Sequence, residues 1–250
     1  PQAFHLAISL PKDTSQNWLE SFSSGLRACA DEYNISLIGG DTTSCPTIVI
    51  TIQVQGLVPA GKALTRDQAQ VGDDIWLSGE IGRSAAALKN ILATPEAFKE
   101  NDSSLAAAYY YPQAQISLGQ KLIGLANCAM DISDGLLQDA SHIAKASGCC
   151  LNIESQKVPL NILSIEQFGQ TQALQFALRG GDDYQLLFTA PIAVRNKIEE
   201  LSCYRIGSVR ELAQTSHSDI NNDNDNNSQE KWILLDDQII ENTAMGYQHF

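Results

Sequence analysis

The chain has 250 residues, 44% of them hydrophobic and 18% charged, as in an ordinary globular protein. Its formal net charge of −13 disfavours nonspecific binding to nucleic acid, because such binding needs cations that neutralise phosphates. No apolar run approaches the roughly 20 residues that span a bilayer. The six cysteines form neither a CxxC pair nor a zinc pattern with histidine, so we expect reduced, mostly buried thiols in a cytoplasmic protein.

The chain begins with a strand followed by a helix. Residues 3–10 read as a strand, and Ser15 or Asn17 can cap a helix that runs to about Tyr33. Four side chains recur on this helix at the spacing of one face: Trp18, Phe22, Leu26 and Cys29. We assign these four side chains to the core and not to a site.

A glycine pair follows the next predicted strand. Residues 35–38 form a short apolar strand that ends in the segment Gly39–Thr43, which reads GGDTT. Glycine lets the backbone approach a ligand closely, and an acid with two hydroxyls can bind a cation or a phosphate. Taken alone, the motif is explained more often by a plain turn.

Residues 47–58 alternate between apolar and polar side chains, which predicts a long strand with one buried face. The apolar positions are Ile48, Ile50, Ile52 and Val54. The chain then passes Arg66 and a Gly72-Asp73 turn before a strand at 74–78.

A turn with two glycines links that strand to a helix ending at about Leu92. Such a turn can present backbone amides to an anion. This one matches neither GxGxxG nor GxxxxGK[ST], so we exclude nucleotide sites of those two kinds. A further helix is predicted over residues 116–126.

The segment Ala129–Leu136, which reads AMDISDGL, places two acids and a hydroxyl within four positions. It predicts a strand, a tight turn and then a helix to Ser147. Ser133 or Asp134 can cap that helix. A capping turn and a site for a hard cation explain the segment about equally well. We interpret His142, on the helix, as packed or exposed and not as a ligand, because no other His or Cys lies at helical spacing.

A second glycine–glycine–acid turn, Gly180–Tyr184, separates a predicted helix at 165–178 from a strand at 185–189. The recurrence of this arrangement at strand ends makes coincidence a weaker explanation than for any single turn. Residues 219–230 place acids and amides at the spacing of a calcium loop. A strand follows and not a helix, so we expect a disordered loop at about 215–230 and no calcium site.

Five motifs, in order along the chain, resemble those of the thiamine-phosphate kinase family, which belongs to the aminoimidazole ribonucleotide synthetase-like superfamily. The motifs are Ile38–Thr43, Ala63–Arg66 with Gly72-Asp73, Ala129–Leu136, Gly180–Tyr184 and Gly246–Phe250. The resemblance implies an α/β (α+β) fold in two domains. Residues 1–62 are then the remainder of an N-terminal ATP-binding, metal-binding and dimerisation domain, and residues 63–250 a C-terminal α+β sandwich domain. It also implies a homodimer that uses ATP and Mg²⁺ to convert thiamine phosphate into thiamine diphosphate.

Carried over position by position, the resemblance implies ATP contacts by Gly40, Asp41, Arg66 and Ser133, magnesium ligands Asp41, Asp131 and Asp134, and substrate contacts by Asp182 and Tyr247. Asp182 stands where the family often has Glu, which shortens the acid by one methylene. No general base is expected, because the acceptor phosphate is already ionised and transfer needs mainly positioning and charge neutralisation.

The family has further acidic motifs, Gly-Asp-Asp and Leu-Ser-Asp, before the strand that opens this chain, where the present sequence has only Pro1 and Gln2. We therefore expect the 250 residues to be a fragment that binds metal-ATP poorly and turns over little or not at all. Two other hypotheses stay open. One is another ATP-dependent enzyme of the superfamily, and the other is a non-catalytic, acidic metal-binding or dimerisation module.

Overall fold

The structure, a computed structural model, describes residues 1–93, 104–212 and 232–240. The chain divides into two compact units, Pro1–Ala63 and Leu64–Phe250. The predicted loop at 215–230 and Tyr247 lie outside the described residues. Within the described ranges, no helix combines the length and apolar character that crossing a membrane requires.

The first unit is a three-stranded sheet with one helix. Its elements are β1 (Ala3–Leu10), α1 (Gln16–Glu32), β2 (Ser36–Ser44) and β3 (Val49–Gln55). The strand order is β2-β1-β3, with β1 parallel to β2 and antiparallel to β3. Ser15 caps α1, since its side chain accepts a hydrogen bond from the Trp18 amide.

Strand β2 is longer than predicted, because it includes the GGDTT segment. Its parallel pairing with β1 continues to Leu10 opposite Ser44, so the expectation that the strand ends at Ile38 is wrong. Gly40 lies so close to the Leu6 carbonyl oxygen that no side chain fits there. The glycine thus permits a close approach of two strands.

The predicted buried face of β3 is wrong for this structure. The four side chains predicted to be buried are 41–54% exposed: Ile48, which directly precedes β3, and Ile50, Ile52 and Val54 within it. On α1, Trp18, Phe22 and Leu26 are half-buried as part of the expected inner face, but Cys29 is exposed. Among the residues of this unit, only Phe4, Ile8 and Ala30 are buried.

The second unit is a seven-stranded, mostly antiparallel sheet with helices, in the strand order β10-β9-β6-β8-β4-β7-β5. Its strands are β4 (Asp74–Leu77), β5 (Cys128–Asp131), β6 (Cys150–Ile153), β7 (Leu186–Ala190), β8 (Tyr204–Arg210), β9 (Ile233–Leu235) and β10 (Gln238–Ile239). Its helices are α2 (Arg83–Ala93), α3 (Ser104–Tyr110), α4 (Ile116–Leu122), α5 (Leu136–Ser147), α6 (Ile162–Phe168), α7 (Gln170–Arg179) and α8 (Arg195–Glu199).

The core of this unit follows the apolar pattern of the sequence. All four residues of β4 are buried, and Trp76 stacks on Phe188 of the neighbouring β7 with ring centroids 6.4 Å apart. Helix α5 buries Leu137, Ala140 and Ala144, the three positions predicted to face inward. The helix predicted at 165–178 is two helices, because Gly169 adopts φ 79° between them.

Two adjacent acids at the start of β4 are buried and fully engaged. Asp74 accepts hydrogen bonds from Arg195 at 2.8 Å and from Arg205 at 2.6 Å. Burial by itself raises the pKa of Asp74, but the two guanidinium groups outweigh burial and hold the pKa below its usual value. Asp73 accepts from the Asn127 amide and the Thr189 hydroxyl, so it joins the loop before β5 to β7.

The six cysteines are free, as predicted. Burial raises the pKa of Cys128 to about 12 and that of Cys149 to about 11, so both stay protonated thiols. Cys150 is also buried, whereas Cys29 on α1 is exposed.

Candidate active site

The two acidic turns of the second unit pair with each other. The Ile132 amide donates to the Gln185 carbonyl at 2.8 Å, and the Tyr184 amide donates to the Ile132 carbonyl at 2.9 Å. The Asp182 amide donates to the Ser133 carbonyl at 3.0 Å. The antiparallel pairing of β5 with β7 therefore continues beyond the strand ends and joins the two motifs.

Glycines allow this contact. A side chain at Gly181 would collide with the Ser133 carbonyl oxygen. Gly135 has φ 115°, and a side chain there would meet the Arg179 backbone at 2.9 Å. At both positions only glycine fits without a backbone shift.

Asp139, which sequence reasoning missed, holds the first turn in place. Its carboxylate Oδ2 accepts hydrogen bonds from the backbone amides of Ser133 at 2.9 Å and Asp134 at 3.1 Å. The expectation that Ser133 or Asp134 caps α5 is wrong: the N-cap is Gly135, with no side-chain cap. Burial, together with the charges of Asp134 and Asp131, raises the pKa of Asp139 to about 6 against the effect of the two amides.

Asp183 plays a matching part in the second turn. It is buried and accepts hydrogen bonds from the amides of Gly82 at 2.6 Å and Ser84 at 3.2 Å, so it binds the start of α2. Burial raises the pKa of Asp183 to about 6. In the sequence, the only sign of this role is that two acids, Asp182 and Asp183, are adjacent. In the structure Asp182 is exposed and Asp183 is buried.

The first turn gathers candidate metal ligands. Ligand atoms of Asp134, Asp139 and His142 lie within 4.8 Å of one another. Sequence reasoning gave His142 no such partner because it considered only its own helix. Burial, Lys145 and Arg66 lower the pKa of His142, while Asp134 opposes them. Carboxylate oxygens are the ligands that a hard cation such as Mg²⁺ prefers, so Asp134 and Asp139 could each offer one to such an ion.

The loop that contains Arg66 is hydrogen-bonded to β5 and α5, the two elements on either side of the first turn. The Arg66 carbonyl accepts a hydrogen bond from the Ser147 hydroxyl of α5 at 3.2 Å, and the neighbouring Thr65 carbonyl accepts from the Ala129 amide of β5 at 3.2 Å. These bonds attach the Arg66 loop to both elements that flank the acidic turn.

Asp182 and Tyr184 form a coupled pair in the second turn. The Tyr184 hydroxyl donates to Asp182 Oδ1 at 3.0 Å. Both residues have positive φ, 62° for Asp182 and 51° for Tyr184, which is unfavourable for residues other than glycine. Burial raises the pKa of Tyr184, and the carboxylates of Asp182, Asp131 and Asp134 raise it further.

A cleft of about 910 Å³ opens beside the paired turns. Ser133, Asp134 and Asp182, three of the predicted site residues, line it together with Tyr184. Its other lining side chains include Ala85, Leu88, Lys89, Leu92 and Arg179. The structure thus brings these three predicted residues to one place, whereas Arg66 and Asp131 are not among the residues that line the cleft.

Three further predicted residues do not belong to the described part of the second unit. Gly40 and Asp41 belong to the first unit, on strand β2. Asp41 is exposed, and its Oδ1 accepts a hydrogen bond from the Thr42 amide at 2.8 Å. Tyr247 is outside the part of the chain that the structure describes.

Comparisons with known proteins agree with this architecture. The family model of the AIR synthase related protein, N-terminal domain, matches residues 1–58, which assigns the first unit to that class of domain. The thiamine-monophosphate kinase of Haemophilus influenzae is 40% identical over 217 residues, or 84% of this chain.

Solved structures extend the agreement to the second unit. The thiamine-monophosphate kinase of Stenotrophomonas maltophilia K279a has a TM-score of 0.82 and 33% identity, covering 96% of this chain and 73% of that one. AaThiL complexed with AMPPCP and TMP has a TM-score of 0.82 and 29% identity, covering 100% of this chain and 74% of that one. The chain belongs to the thiamine-monophosphate kinase family, and the predicted family and α+β two-domain fold class are confirmed. It spans 66% of the length of the Haemophilus relative.

Proposed function

We propose that the protein containing this chain transfers the γ-phosphoryl group of ATP to thiamine phosphate, which gives thiamine diphosphate. The observation that carries the proposal is the pairing of the two turns, which places Ser133, Asp134 and Asp182 around one cleft. Membership of the kinase family and the complex of AaThiL with AMPPCP and TMP support it.

The proposed roles divide between nucleotide, metal and acceptor. Gly40, Asp41, Arg66 and Ser133 contact ATP, and Asp41, Asp131 and Asp134 hold Mg²⁺. Carboxylate oxygens fit this ion, whose chemistry here is to neutralise phosphate charge. Asp182, with Tyr184 as its hydrogen-bond partner, and Tyr247 contact the thiamine side.

The chain's own acids support transfer without a general base. Asp139 and Asp183 are buried and already accept hydrogen bonds from backbone amides. The acceptor phosphate is ionised at neutral pH and can attack directly once it is positioned. We therefore propose direct in-line transfer, for which a chiral γ-phosphate should invert its configuration; retention would contradict a single displacement.

The proposal also includes a homodimer in the cytoplasm. The exposed apolar side chains of β3, among them Ile50, Ile52 and Val54, support self-association of the first unit. A molar mass of two subunits in light scattering is the expected result, and a monomer at all concentrations would contradict the dimer.

The decisive test is a substrate comparison on the complete gene product. It should convert thiamine phosphate and ATP into thiamine diphosphate and leave an aminoimidazole precursor unchanged. The opposite preference would favour another enzyme of the superfamily. Asp131→Ala separates catalysis from a structural module: Asp131 is exposed, so the variant should stay folded and lose about a hundredfold or more in kcat. An unchanged kcat would contradict a catalytic role for Asp131 and favour the non-catalytic, structural module.

A further inference from the structure

The cleft beside the paired turns carries both signs of charge. Its lining residues include two acids, Asp134 and Asp182, and two bases, Lys89 and Arg179. The protein has 29 acidic and 16 basic residues, so two cations in one cleft run against its overall charge. Neither cation forms a salt bridge with another side chain in the described ranges. As far as the described ranges go, both charges are therefore available to a ligand.

Lys89 is oriented by two aromatic rings. Its Nζ lies 5.1 Å from the centroid of Phe168 and 5.5 Å from that of Phe176. The two rings pack edge to face, with centroids 5.2 Å apart. Aromatic faces attract an ammonium group without cancelling its charge, so they restrict Lys89 while leaving it able to bind an anion.

Arg179 is fixed to the paired turns through its backbone. It is the last residue of α7 and directly precedes Gly180-Gly181, and its carbonyl group lies against Gly135. The guanidinium belongs to an exposed side chain that lines the cleft. A guanidinium can donate two parallel hydrogen bonds to a phosphate, which makes arginine well suited to such a group.

We propose that Lys89 and Arg179 form an anion subsite for the phosphate of the acceptor, a role that rests on the proposed function. Thiamine phosphate is a zwitterion with a cationic thiazolium ring and an anionic phosphate. The cleft offers a carboxylate at Asp182 for the cationic portion and two cations for the phosphate. Of the residues assigned to ATP, Ser133 lines this cleft, but Arg66, the one assigned to the ATP phosphates, does not. Asp182, assigned to the acceptor, also lines the cleft, which favours the acceptor over the nucleotide as the source of the anion.

The test is a calorimetric titration of the 250-residue chain at low salt with EDTA present, so that metal ions cannot bind the anion. The ligands are inorganic pyrophosphate, thiamine phosphate, unphosphorylated thiamine and ADP. Lys89→Gln and Arg179→Gln should each weaken pyrophosphate and thiamine phosphate by about five- to tenfold. They should leave thiamine and ADP unchanged. Added salt should reduce the difference.

Matched controls make the outcomes decisive. Lys121→Gln removes an exposed cation of α4 outside the cleft and should bind all ligands as the wild type does. Lys89→Glu should weaken phosphate binding more than Lys89→Gln, with far-ultraviolet circular dichroism showing that each variant is folded. Three outcomes would overturn the subsite: the wild type does not bind pyrophosphate, the wild type and both glutamine variants have equal affinities, or only the affinity for ADP falls.

The same variants in the complete gene product separate the two proposals. If that protein makes thiamine diphosphate with an unchanged KM for thiamine phosphate in both variants, the function stands and the subsite fails. If it makes no thiamine diphosphate while pyrophosphate binding depends on Lys89 and Arg179, the anion subsite is supported. The proposed function and thiamine phosphate as the ligand of the subsite are then both rejected.

Discussion

The Tyr184 hydroxyl donates a hydrogen bond to the Asp182 carboxylate over 3.0 Å, although both residues have left-handed backbone conformations. Each such conformation has a cost of about 1 kcal/mol or more, so the surrounding structure must impose it. The pairing of this turn with Ser133 and Ile132 supplies that constraint. The strained segment thereby fixes the direction of an acid that faces the cleft.

Tyr184→Phe should therefore act on the acceptor and not on the nucleotide. The variant keeps the ring and loses the hydroxyl, so its free energy of unfolding should fall by no more than about 1.5 kcal/mol. Without its partner, Asp182 loses its orientation. We expect KM for thiamine phosphate to rise about three- to tenfold at constant KM for ATP in steady-state assays of the complete gene product. An equal rise in both KM values would refute this assignment.

Asp139 should prove necessary for the shape of the first turn. Asp139→Ala leaves the amides of Ser133 and Asp134 without an acceptor, which should lower the free energy of unfolding by about 2–4 kcal/mol. Asp139→Asn retains a carbonyl oxygen in the same place and should recover most of the loss. Urea unfolding measures the free energy of unfolding. A raised KM for ATP would show that the turn has lost the shape that binds the nucleotide. The prediction fails if the asparagine variant is as impaired as the alanine variant.

Gly181→Ala should disrupt the contact between the two turns. Its added methyl group would collide with the Ser133 carbonyl oxygen, so the backbone must shift at a cost of about 1–3 kcal/mol. Gly119→Ala is the control within the same unit. Gly119 lies in α4, and an added Cβ there meets only Leu186 at 3.8 Å, so this variant should be neutral or more stable by about 0.5–1 kcal/mol. Equal stability of the two variants in urea would contradict the close contact.

Asp183 should make stability depend on pH in a defined direction. Its pKa is about 6 in the folded protein against an ordinary value of 3.8, so the folded state binds the proton more tightly. Its contribution is complete below about pH 4 and is lost as pH rises through about 6. The stability of the wild type relative to Asp183→Asn should therefore fall between pH 5 and pH 7.5. Urea titrations at both values measure this difference, and a constant difference would count against the raised pKa.

Much of the fold could be predicted from the sequence, because its signals are local. Alternation in residues 3–10 and the apolar spacing of Leu137, Ala140 and Ala144 follow directly from strand and helix geometry. The break at Gly169 was missed because a single glycine within a helical pattern is often tolerated. The length of β2 was missed because glycines and an acid resemble a turn unless a partner strand is known.

The site was predictable only for residues within recognisable motifs. Asp131, Asp134 and Asp182 could be selected because each follows a strand or a glycine pair. Asp139 could not, because an acid on an amphipathic helix normally indicates a solvent-exposed face. Its partners are amides in the preceding turn, and only the three-dimensional path of the chain brings them together. The same reason explains the missed neighbours of His142.

The unequal burial of the thiols gives the protein an internal reporter for each unit. Cys29 on α1 is exposed, so an alkylating reagent should modify it quickly in the native state. Cys128 and Cys149 are buried, with pKa values raised to about 12 and 11, so they should react only when the second unit opens. Timed alkylation followed by peptide mass spectrometry can therefore record, in one sample, surface exposure of the first unit and opening of the second without any added label site.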